Sequence, residues 1–314
     1  MDNRCIHGLD ALPATLRGCA LTIGNFDGVH LGHQRIITAA CELARRQGRS
    51  MVAMTFEPPP DQVVRPRDVI KRITPVEVKA ELLLEAGADA VVLAAAGRDL
   101  LSMTPQQFID EVVVRRFAPG HVVEGPDFCF GHKRSGNVET LRQAGATAGF
   151  EAHVIEPVQV ELAGESHRVS STLIRSLVED GRVADARRCL GRDFALYGQI
   201  VHGTGRGAQI LGFPTVNLLS PQQVVPGEGV YAGWADIDGT SSAAAISVGH
   251  TPTLGGTGGR VVEAHLIGMT GRFYDLQMKL RFTERLRGQT KFESVEALRA
   301  QIAEDIERVR RIIQ

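Results

Sequence analysis

Short apolar runs alternate with helical patterns through the first 160 residues, and this alternation restricts the fold more than any other feature. Runs that suit strands cover 20–24, 51–55, 90–94, 121–124 and 152–155. Thr74–Glu77 and Thr104–Gln107 are capping boxes with Pro at the first helical position, which predicts helices over about 75–87 and 105–117. Strands that alternate with helices favour a parallel sheet covered by helices on both faces.

The pattern changes after about residue 190. Short β-type runs then follow one another, separated by Gly, Pro and Asp-Gly turns; they cover 197–202, 229–237, 243–248, 261–267 and 276–282. This spacing predicts a small antiparallel β-barrel. Behind Ser294, apolar residues at intervals of three and four predict a final helix. The sequence therefore predicts an α/β domain over 1–185 and a β-barrel domain with a helix over 186–314.

Composition limits the class of partner. The chain has 314 residues, 43% of them hydrophobic, and a net charge of −1, so no general attraction to nucleic acid or membranes is expected. It has neither an apolar run of about 20 residues nor a signal-peptide pattern. Five scattered cysteines without C-x-x-C fit free thiols in a reducing cytoplasm and predict no zinc site. We expect a cytoplasmic protein with small-molecule substrates; homo-oligomer formation stays open.

The turn from Gly24 to His33 follows the first predicted strand and leads directly into a helix. An isolated H-x-G-H is more often an ordinary surface turn. Here, however, Asn25, Asp27 and His30 accompany His33 within nine residues, and glycines recur every four. Exposed amides at a helix start, together with imidazoles, suit a phosphate chain. The turn is neither a Walker A loop nor a Rossmann dinucleotide fingerprint.

The segment Gly24-Asn-Phe-Asp-Gly-Val-His-Leu-Gly-His33 resembles the signature of the nucleotidylyltransferase half of bacterial bifunctional FAD synthetases (riboflavin kinase/FMN adenylyltransferase). The resemblance implies a Rossmann-like domain in which the phosphate of FMN attacks the α-phosphorus of ATP and expels pyrophosphate. It assigns catalytic roles to His30 and His33, and phosphate binding to Gly24, Asn25, Asp27 and Gly32.

A second segment, Gly125-Pro-Asp-Phe-Cys-Phe-Gly131, follows the strand predicted at 121–124. Alone it could be a surface loop with two buried aromatic residues. It resembles the family's G-x-D/N-F-x-F-G motif, which implies flavin contacts from Asp127, Phe128 and Phe130. The family usually has Arg where this chain has Cys129; the nearest cations are Lys133 and Arg134.

A third segment, Val169-Ser-Ser-Thr-Leu-Ile-Arg175, could be a capped helix start and nothing more. Arg in the first turn of a helix is nevertheless unfavourable unless it binds an anion. The segment resembles the family motif I-S-S-T-x-I-R. The resemblance implies phosphate binding by Ser170, Ser171 and Thr172, and a catalytic role for Arg175.

The second half of the chain carries separate motifs. Gly212-Phe-Pro-Thr-Val-Asn217 resembles the riboflavin kinase signature G-F-P-T-A-N, and it follows a glycine-rich segment, Gly203–Gly207. The resemblance implies that Thr215 and Asn217 hold Mg²⁺ on ATP, and that Glu263 is the base for the 5′-hydroxyl of riboflavin. The loop amides of Gly203, Gly205 and Gly207 could cradle the phosphates. An isolated Glu in a strand is otherwise usually solvent-facing.

Some positions depart from the family. Arg272–Asp275 replaces the common D-L-Y-G, and Thr251 and Leu254 replace Asn and Phe, which puts riboflavin affinity in question. The leading hypothesis is a bifunctional enzyme that uses ATP and Mg²⁺ to convert riboflavin to FMN and FMN to FAD. The alternatives are an FMN adenylyltransferase with an impaired kinase domain and a non-catalytic flavin-binding regulator. The sequence does not identify ATP as the sole nucleotide donor.

Overall fold

The computed structural model of the chain describes residues 4–67, 70–201, 213–219, 222–250 and 260–313. Six described strands form a parallel sheet in the order β1-β4-β3-β2-β5-β8. These strands are β1 (Cys5–His7), β2 (Ala20–Ile23), β3 (Met51–Phe56), β4 (Ala90–Ala94), β5 (His121–Glu124) and β8 (Glu151–Val154). The short pair β6 (Cys129–Phe130) and β7 (Gly136–Asn137) and the hairpin β9 (Gln159–Leu162) and β10 (Glu165–Arg168) lie outside this sheet.

Helices pack on both faces of the parallel sheet, as the sequence predicts. One core places Leu21 and Met54 against Phe117 and Leu141, and the other places Ala20 and Met51 against helical residues such as Ile37. Alternate residues of a strand point to opposite faces, so each strand contributes to both cores. The helices are α1 (Leu31–Arg46), α2 (Pro60–Val64), α3 (Val76–Glu85), α4 (Arg98–Ser102), α5 (Pro105–Gln107) with its π-helical continuation Phe108–Phe117, and α6 (Val138–Ala148).

The predicted strands of the first half are confirmed to within a residue, whereas β1 and the β9–β10 hairpin were missed. β1 has three residues, which are too few to show the apolar/polar alternation that identifies a strand in a sequence. The helix predicted over 105–117 is present, and Thr104 forms the expected capping box with Gln107. Its last ten residues are a π-helix, which capping signals and apolar spacing do not reveal.

The second half contains a closed barrel in which six described strands follow the order β11-β12-β15-β14-β13-β16. The predicted antiparallel barrel is therefore confirmed. Asp238 and Gly239 both have positive φ between β13 and β14, as a two-residue hairpin turn requires. The strands are β11 (Phe194–Val201), β12 (Val216–Leu219), β13 (Gly229–Ile237), β14 (Thr240–His250), β15 (Arg260–Leu266) and β16 (Gln277–Arg287).

Three helices lie in the described part of this half: α7 (Ser171–Glu179), α8 (Val183–Leu190) and α9 (Val295–Ile312). Ser294 caps α9 by accepting a hydrogen bond from the amide of Ala297 at 3.1 Å, as predicted. Val309 and Ile313 pack against Val230 and Ala232 of β13, so the predicted apolar stripe covers one side of the barrel.

The described chain divides into two compact units. One contains residues 1–71 and 76–170, and the other contains 72–75 and 171–314. The short segment 72–75 belongs to the second unit because Arg72 exchanges backbone hydrogen bonds with Gln222 and Val224. The sequence-based boundary between residues 185 and 186 stays a prediction. None of the described helices has the length and apolar character to cross a membrane.

Candidate active sites

The Gly24–His33 turn connects β2 to α1 through a tightly folded backbone. Phe26, Gly28 and Val29 all have positive φ, and the amide of Val29 donates to the carbonyl of Phe26 at 3.0 Å. Positive φ is costly for a β-branched residue such as Val29, so the surrounding contacts must hold it. Phe26 and Val29 are buried in the core beneath α1, which supplies those contacts.

His30 is the N-cap of α1 and lies almost completely buried. Its Nδ1 accepts a hydrogen bond from the amide of His33 at 3.4 Å, which places the ring proton on Nε2. The rings of His30 and His33 stack with centroids 3.5 Å apart. A Cβ on Gly32 would come within 3.1 Å of the His30 ring, so a side chain at this position would crowd the stacked rings. The predicted pair of imidazoles at a helix N-terminus is therefore present.

Buried Lys79 of α3 fixes the beginning of this turn. It was not among the site residues predicted from the sequence. Its Nζ donates to the carbonyl of Asn25 at 3.2 Å, to Thr55 Oγ1 at 2.9 Å and to the carbonyl of Phe56 at 3.4 Å. A lysine is almost never buried without such partners. Nothing in the local sequence around Lys79 distinguishes it from an exposed helical lysine, because its acceptors come from the distant Gly24–His33 turn and from the end of β3.

Replacing Lys79 by methionine is expected to destabilise the protein by about 1–3 kcal/mol, because buried acceptors lose a charged donor. The carbonyl of Asn25 would lose the ammonium of Lys79 as a donor and would keep the hydroxyl of Thr55, which donates to it at 3.2 Å. Urea unfolding measures the free-energy change, and the exposed Lys71→Met is the matched control. A Lys79→Met protein within 0.5 kcal/mol of wild type would show that these bonds contribute little.

The turn lies at the point where the strand order of the sheet reverses. β3 and β4 continue from β2 to one side, and β5 and β8 lie on the other. β2 and β5 pair only at Ala20–His121 and Leu21–Val122. Beyond them, the buried Glu124 carboxyl accepts from the amide of Ile23 at 2.6 Å and replaces the missing strand pairing. Ligands of such sheets bind at this switch point, outside the carboxyl ends of the strands.

Burial raises the pKa of the Glu124 carboxyl well above its ordinary value, while its hydrogen bond with Ile23 opposes that rise. The folded state therefore binds this proton more tightly than the unfolded state. The stabilisation that comes from binding this proton is complete at pH values below the pKa of Glu124 in the unfolded chain. It is lost as the pH rises toward the pKa of Glu124 in the folded protein.

Glu124→Gln keeps an oxygen for the amide of Ile23 and removes the titration. We expect its stability relative to wild type to increase with pH, by up to about 1.4 kcal/mol per pH unit from pH 5 upward. Urea unfolding at pH 5, 6, 7 and 8 checks this, with the exposed Glu156→Gln as control. A constant difference between Glu124→Gln and wild type would contradict a raised pKa.

The loop after β5 contains the predicted flavin residues. Asp127 is exposed, and its Oδ2 lies 2.5 Å from a guanidinium nitrogen of Arg168 on β10. Phe128 is half-buried and stacks on Phe130 with a centroid distance of 5.4 Å. Phe130 is only 6% exposed and also packs on Phe108, so it belongs to the core. Of the two rings, Phe128 is therefore the one that offers surface to a ligand.

The serine-rich motif spans the beginning of α7. The helix starts at Ser171, so Thr172 lies in its first turn, as predicted. Arg175 is the fifth residue of the helix and lies in the second turn, one turn later than predicted. Ser170 belongs to the first unit and Ser171 to the second. Within the first unit, the carbonyl of Val169 lies 3.9 Å from the position that a Cβ on Gly32 would occupy. The first residue of the motif therefore lies beside the histidine turn.

The second unit brings two of the predicted kinase residues, Asn217 and Glu263, into one row across the barrel strands. Asn217 of β12 pairs directly with Glu263 of β15, which pairs on its other side with Ser247 of β14. The buried Val262 and Ala264 alternate with Glu263, so this row lies on the outer face of the barrel. Glu263 is half-buried, and this burial raises the pKa of its carboxyl above its ordinary value. A raised pKa makes the carboxylate a stronger base.

His265 was missed by the sequence analysis. Its Nδ1 meets the carbonyl of Pro214 at 2.9 Å, and its ring contacts Phe213 edge-on at 5.5 Å. These contacts hold the segment that precedes Thr215, which lies just before β12 rather than in it. Only the strand register brings the two segments together, so sequence spacing could not indicate this role.

Six positions that the motifs single out lie outside the described residues: Gly203, Gly205, Gly207, Gly212, Thr251 and Leu254. Asp275, which stands where the family commonly has Gly, adopts a positive φ of 69°. Asp tolerates that conformation better than most residues do. The amide of Asp275 donates to the carbonyl of Ile200 at 2.9 Å, so the Arg272–Asp275 segment is anchored to β11 despite its changed sequence.

The two halves of the chain match two enzyme families. The FAD synthetase family model matches residues 12–173, and the riboflavin kinase model matches residues 190–313. The bifunctional riboflavin kinase/FMN adenylyltransferase of Pseudomonas fluorescens is 35% identical over 96% of this chain and 95% of its own length. The Escherichia coli K12 protein of the same name is 34% identical over 96% and 94% of the two chains.

A solved structure described as a macrolide-efflux protein from Streptococcus pneumoniae is similar over 98% of this chain and 99% of its own, with 27% identity and a TM-score of 0.87. The two family models together define an enzyme with two activities, one in each half of the chain. The chain belongs to the bifunctional riboflavin kinase/FMN adenylyltransferase family. The family predicted from the motifs, its fold and its two activities are thereby confirmed.

Proposed function

We propose that the histidine turn of the first unit carries out adenylyl transfer and that the outer face of the barrel carries out phosphoryl transfer. The pairing of Asn217 with Glu263 supports this division most strongly, because an amide oxygen that could bind Mg-ATP and a carboxylate that could act as a base are neighbours on adjacent strands. The adenylyl transfer that we assign to the histidine turn needs no base from the protein. The phosphate of FMN is mostly dianionic at neutral pH and attacks without losing a proton.

Adenylyl transfer then depends on positioning and on charge stabilisation at the α-phosphate and the leaving pyrophosphate. The N-terminal amides of α1 and the rings of His30 and His33 supply positive potential at one place. Phosphate contacts are assigned by motif to Gly24, Asn25, Asp27, Gly32, Ser170, Ser171 and Thr172. Arg175 is assigned the role of neutralising developing charge, which a guanidinium suits.

The flavin is proposed to lie against the loop after β5. Phe128 offers a half-exposed ring, and Phe130 supports it from the core. The exposed carboxylate of Asp127 would accept a hydrogen bond from a polar group of the flavin, and its contact with Arg168 holds it in place. A flat apolar ring system with polar edges suits this combination.

In the barrel, Glu263 is proposed to take the proton from the 5′-hydroxyl of riboflavin as that oxygen attacks the γ-phosphate of ATP. Asn217 and Thr215 offer neutral oxygens, the ligand type that Mg²⁺ accepts when ATP phosphates supply most of the charge. The amides of Gly203, Gly205 and Gly207 are assigned to the phosphates by motif alone.

The class of substrate and the cellular location of the enzyme are also proposals. A net charge of −1 supports small-molecule substrates over nucleic acid or anionic membranes. None of the five cysteines, all of which fall in the described part of the chain, forms a disulfide, as expected for a reducing cytoplasm. Homo-oligomer formation is an open part of the proposal.

Labelled ATP tests the division of chemistry. When the protein is incubated with riboflavin and Mg²⁺, the γ-phosphate label should be transferred to FMN. The α-phosphate label should appear in FAD and not in FMN. Removing Mg²⁺ with EDTA should stop FMN formation, and repeating the assay with CTP and GTP establishes donor preference. The α-label in FMN, or the formation of neither FMN nor FAD from riboflavin, would overturn the proposed assignment.

A further inference from the structure

Two histidines and a glutamate meet at the edge of the sheet opposite the histidine turn. His121 begins β5, and Glu151 and His153 lie on β8. His121 pairs with Glu151 in register, and His153 follows two residues later, so the three side chains share one face of the sheet. Glu124, at the other end of β5, lies beside the histidine turn, about 10 Å along the strand. The adenylyl-transfer residues named above do not include this cluster.

The separations within the cluster match those of a metal site. His121 Nδ1 and His153 Nε2 are 3.0 Å apart, and Glu151 Oε2 lies 3.8 Å from the first and 3.7 Å from the second. A point equidistant from three atoms with these separations lies about 2 Å from each, which is the usual zinc–nitrogen and zinc–oxygen distance. All three potential ligand atoms lie within 4.8 Å of one another.

We propose that His121, Glu151 and His153 bind one divalent transition-metal ion of the zinc class, which links β5 to β8. Two imidazoles and a carboxylate form a common zinc donor set and do not favour Mg²⁺ or Ca²⁺. Buried His121 and half-buried His153 provide fixed ligands, whereas Glu151 is exposed and leaves room for water in the fourth position.

The second nitrogen of His121 limits the expected affinity. Its Nε2 is buried and meets no hydrogen-bonding atom within the described parts of the chain. Metal-bound imidazoles usually donate from this nitrogen to an acceptor, and loss of such a partner costs roughly 10–100-fold in affinity. We therefore expect a site weaker than a structural zinc finger. The cysteine pattern predicted no zinc site, and the ligands of this one come from strands separated by 30 residues in sequence.

The test uses tag-free, full-length protein without nucleotide, titrated with ZnCl₂ by calorimetry and with CoCl₂ by visible absorption. Wild type should bind one ion per chain, show the intense bands of four-coordinate Co²⁺ and melt at a higher temperature with Zn²⁺. His153→Gln and Glu151→Gln should each weaken binding by more than 10-fold and lose those bands. His167→Gln, which removes an exposed His beside Glu165, should behave as wild type.

Two results of these titrations would overturn the proposal. No saturable binding to wild type would overturn the proposal and leave a plain hydrogen bond between His121 and His153. Equal binding by wild type, His153→Gln and Glu151→Gln would also overturn it, because the ion would then lie elsewhere. Thermal melts without metal show whether each variant is folded, and the exposed Glu151 makes its variant the safest of the set.

Discussion

Replacing His30 and His33 by alanine is expected to abolish FAD formation from FMN and to leave FMN formation from riboflavin intact. The two rings stack at the N-terminus of α1, where positive potential is needed at the phosphates. Removing one donor of this kind from an enzyme typically costs about 10²–10³ in kcat. We expect His33→Ala alone to fall in that range and the double variant to lose at least as much, without simple additivity.

His30 also caps α1, so its loss has a structural component of about 1 kcal/mol. His30→Asn separates the two effects, because Asn caps well and lacks the imidazole. If His30→Asn melts like wild type and still loses FAD formation, the effect is chemical. His7→Ala, an exposed histidine of the same unit, is the matched control. Unchanged FMN adenylylation in the double variant would exclude this turn as the adenylyl-transfer site.

Glu263→Gln is expected to lower FMN formation from riboflavin by about 10²–10⁴ and to leave FMN adenylylation unchanged. Gln keeps the shape of the side chain and its place opposite Asn217, but it cannot accept a proton from the riboflavin hydroxyl. Wild-type kinase activity should decline at acid pH as Glu263 is protonated. Because burial raises the pKa of Glu263, this decline should begin above the ordinary range of a glutamate.

Flavin chromatography with riboflavin or FMN as the starting substrate measures the two activities separately. Glu284→Gln provides the matched control, since Glu284 is an exposed glutamate on a strand of the same barrel. It should keep both activities. A Glu263→Gln enzyme that still phosphorylates riboflavin at near wild-type rate would mean that another group is the base. One that loses adenylylation instead would reverse the assignment of the two units.

The sequence predicted the fold well where local pattern determines structure. The strand that precedes Gly24, the helix that follows His30 and the cap at Ser294 depend on neighbouring residues, and all three are confirmed. β1 was missed because Cys5–His7 forms a strand only by pairing with β4, far along the chain. Tertiary pairing overrides weak local preference in such short segments.

For the site residues too, the sequence predicted those that belong to a local motif and missed those that depend on distant contacts. His30 and His33 were recognised because they lie within one contiguous motif. Lys79, Glu124 and His265 were not, because each acts through a contact with a distant segment. Phe130 was predicted to offer ring surface to the flavin, whereas the structure buries it in the core behind Phe128. A motif identifies which residues are near in sequence, but burial and strand register decide what each side chain can reach.

The most direct test of the central claim, that two separate sites carry two sequential reactions, is a mixing experiment. His33→Ala should convert riboflavin to FMN only, and Glu263→Gln should form neither flavin product from riboflavin. Mixed with riboflavin, ATP and Mg²⁺, the two variants should restore FAD, because FMN released by the first is the substrate of the second. If the mixture accumulates FMN without FAD, or if either variant alone has lost both activities, the division into two independent sites is wrong.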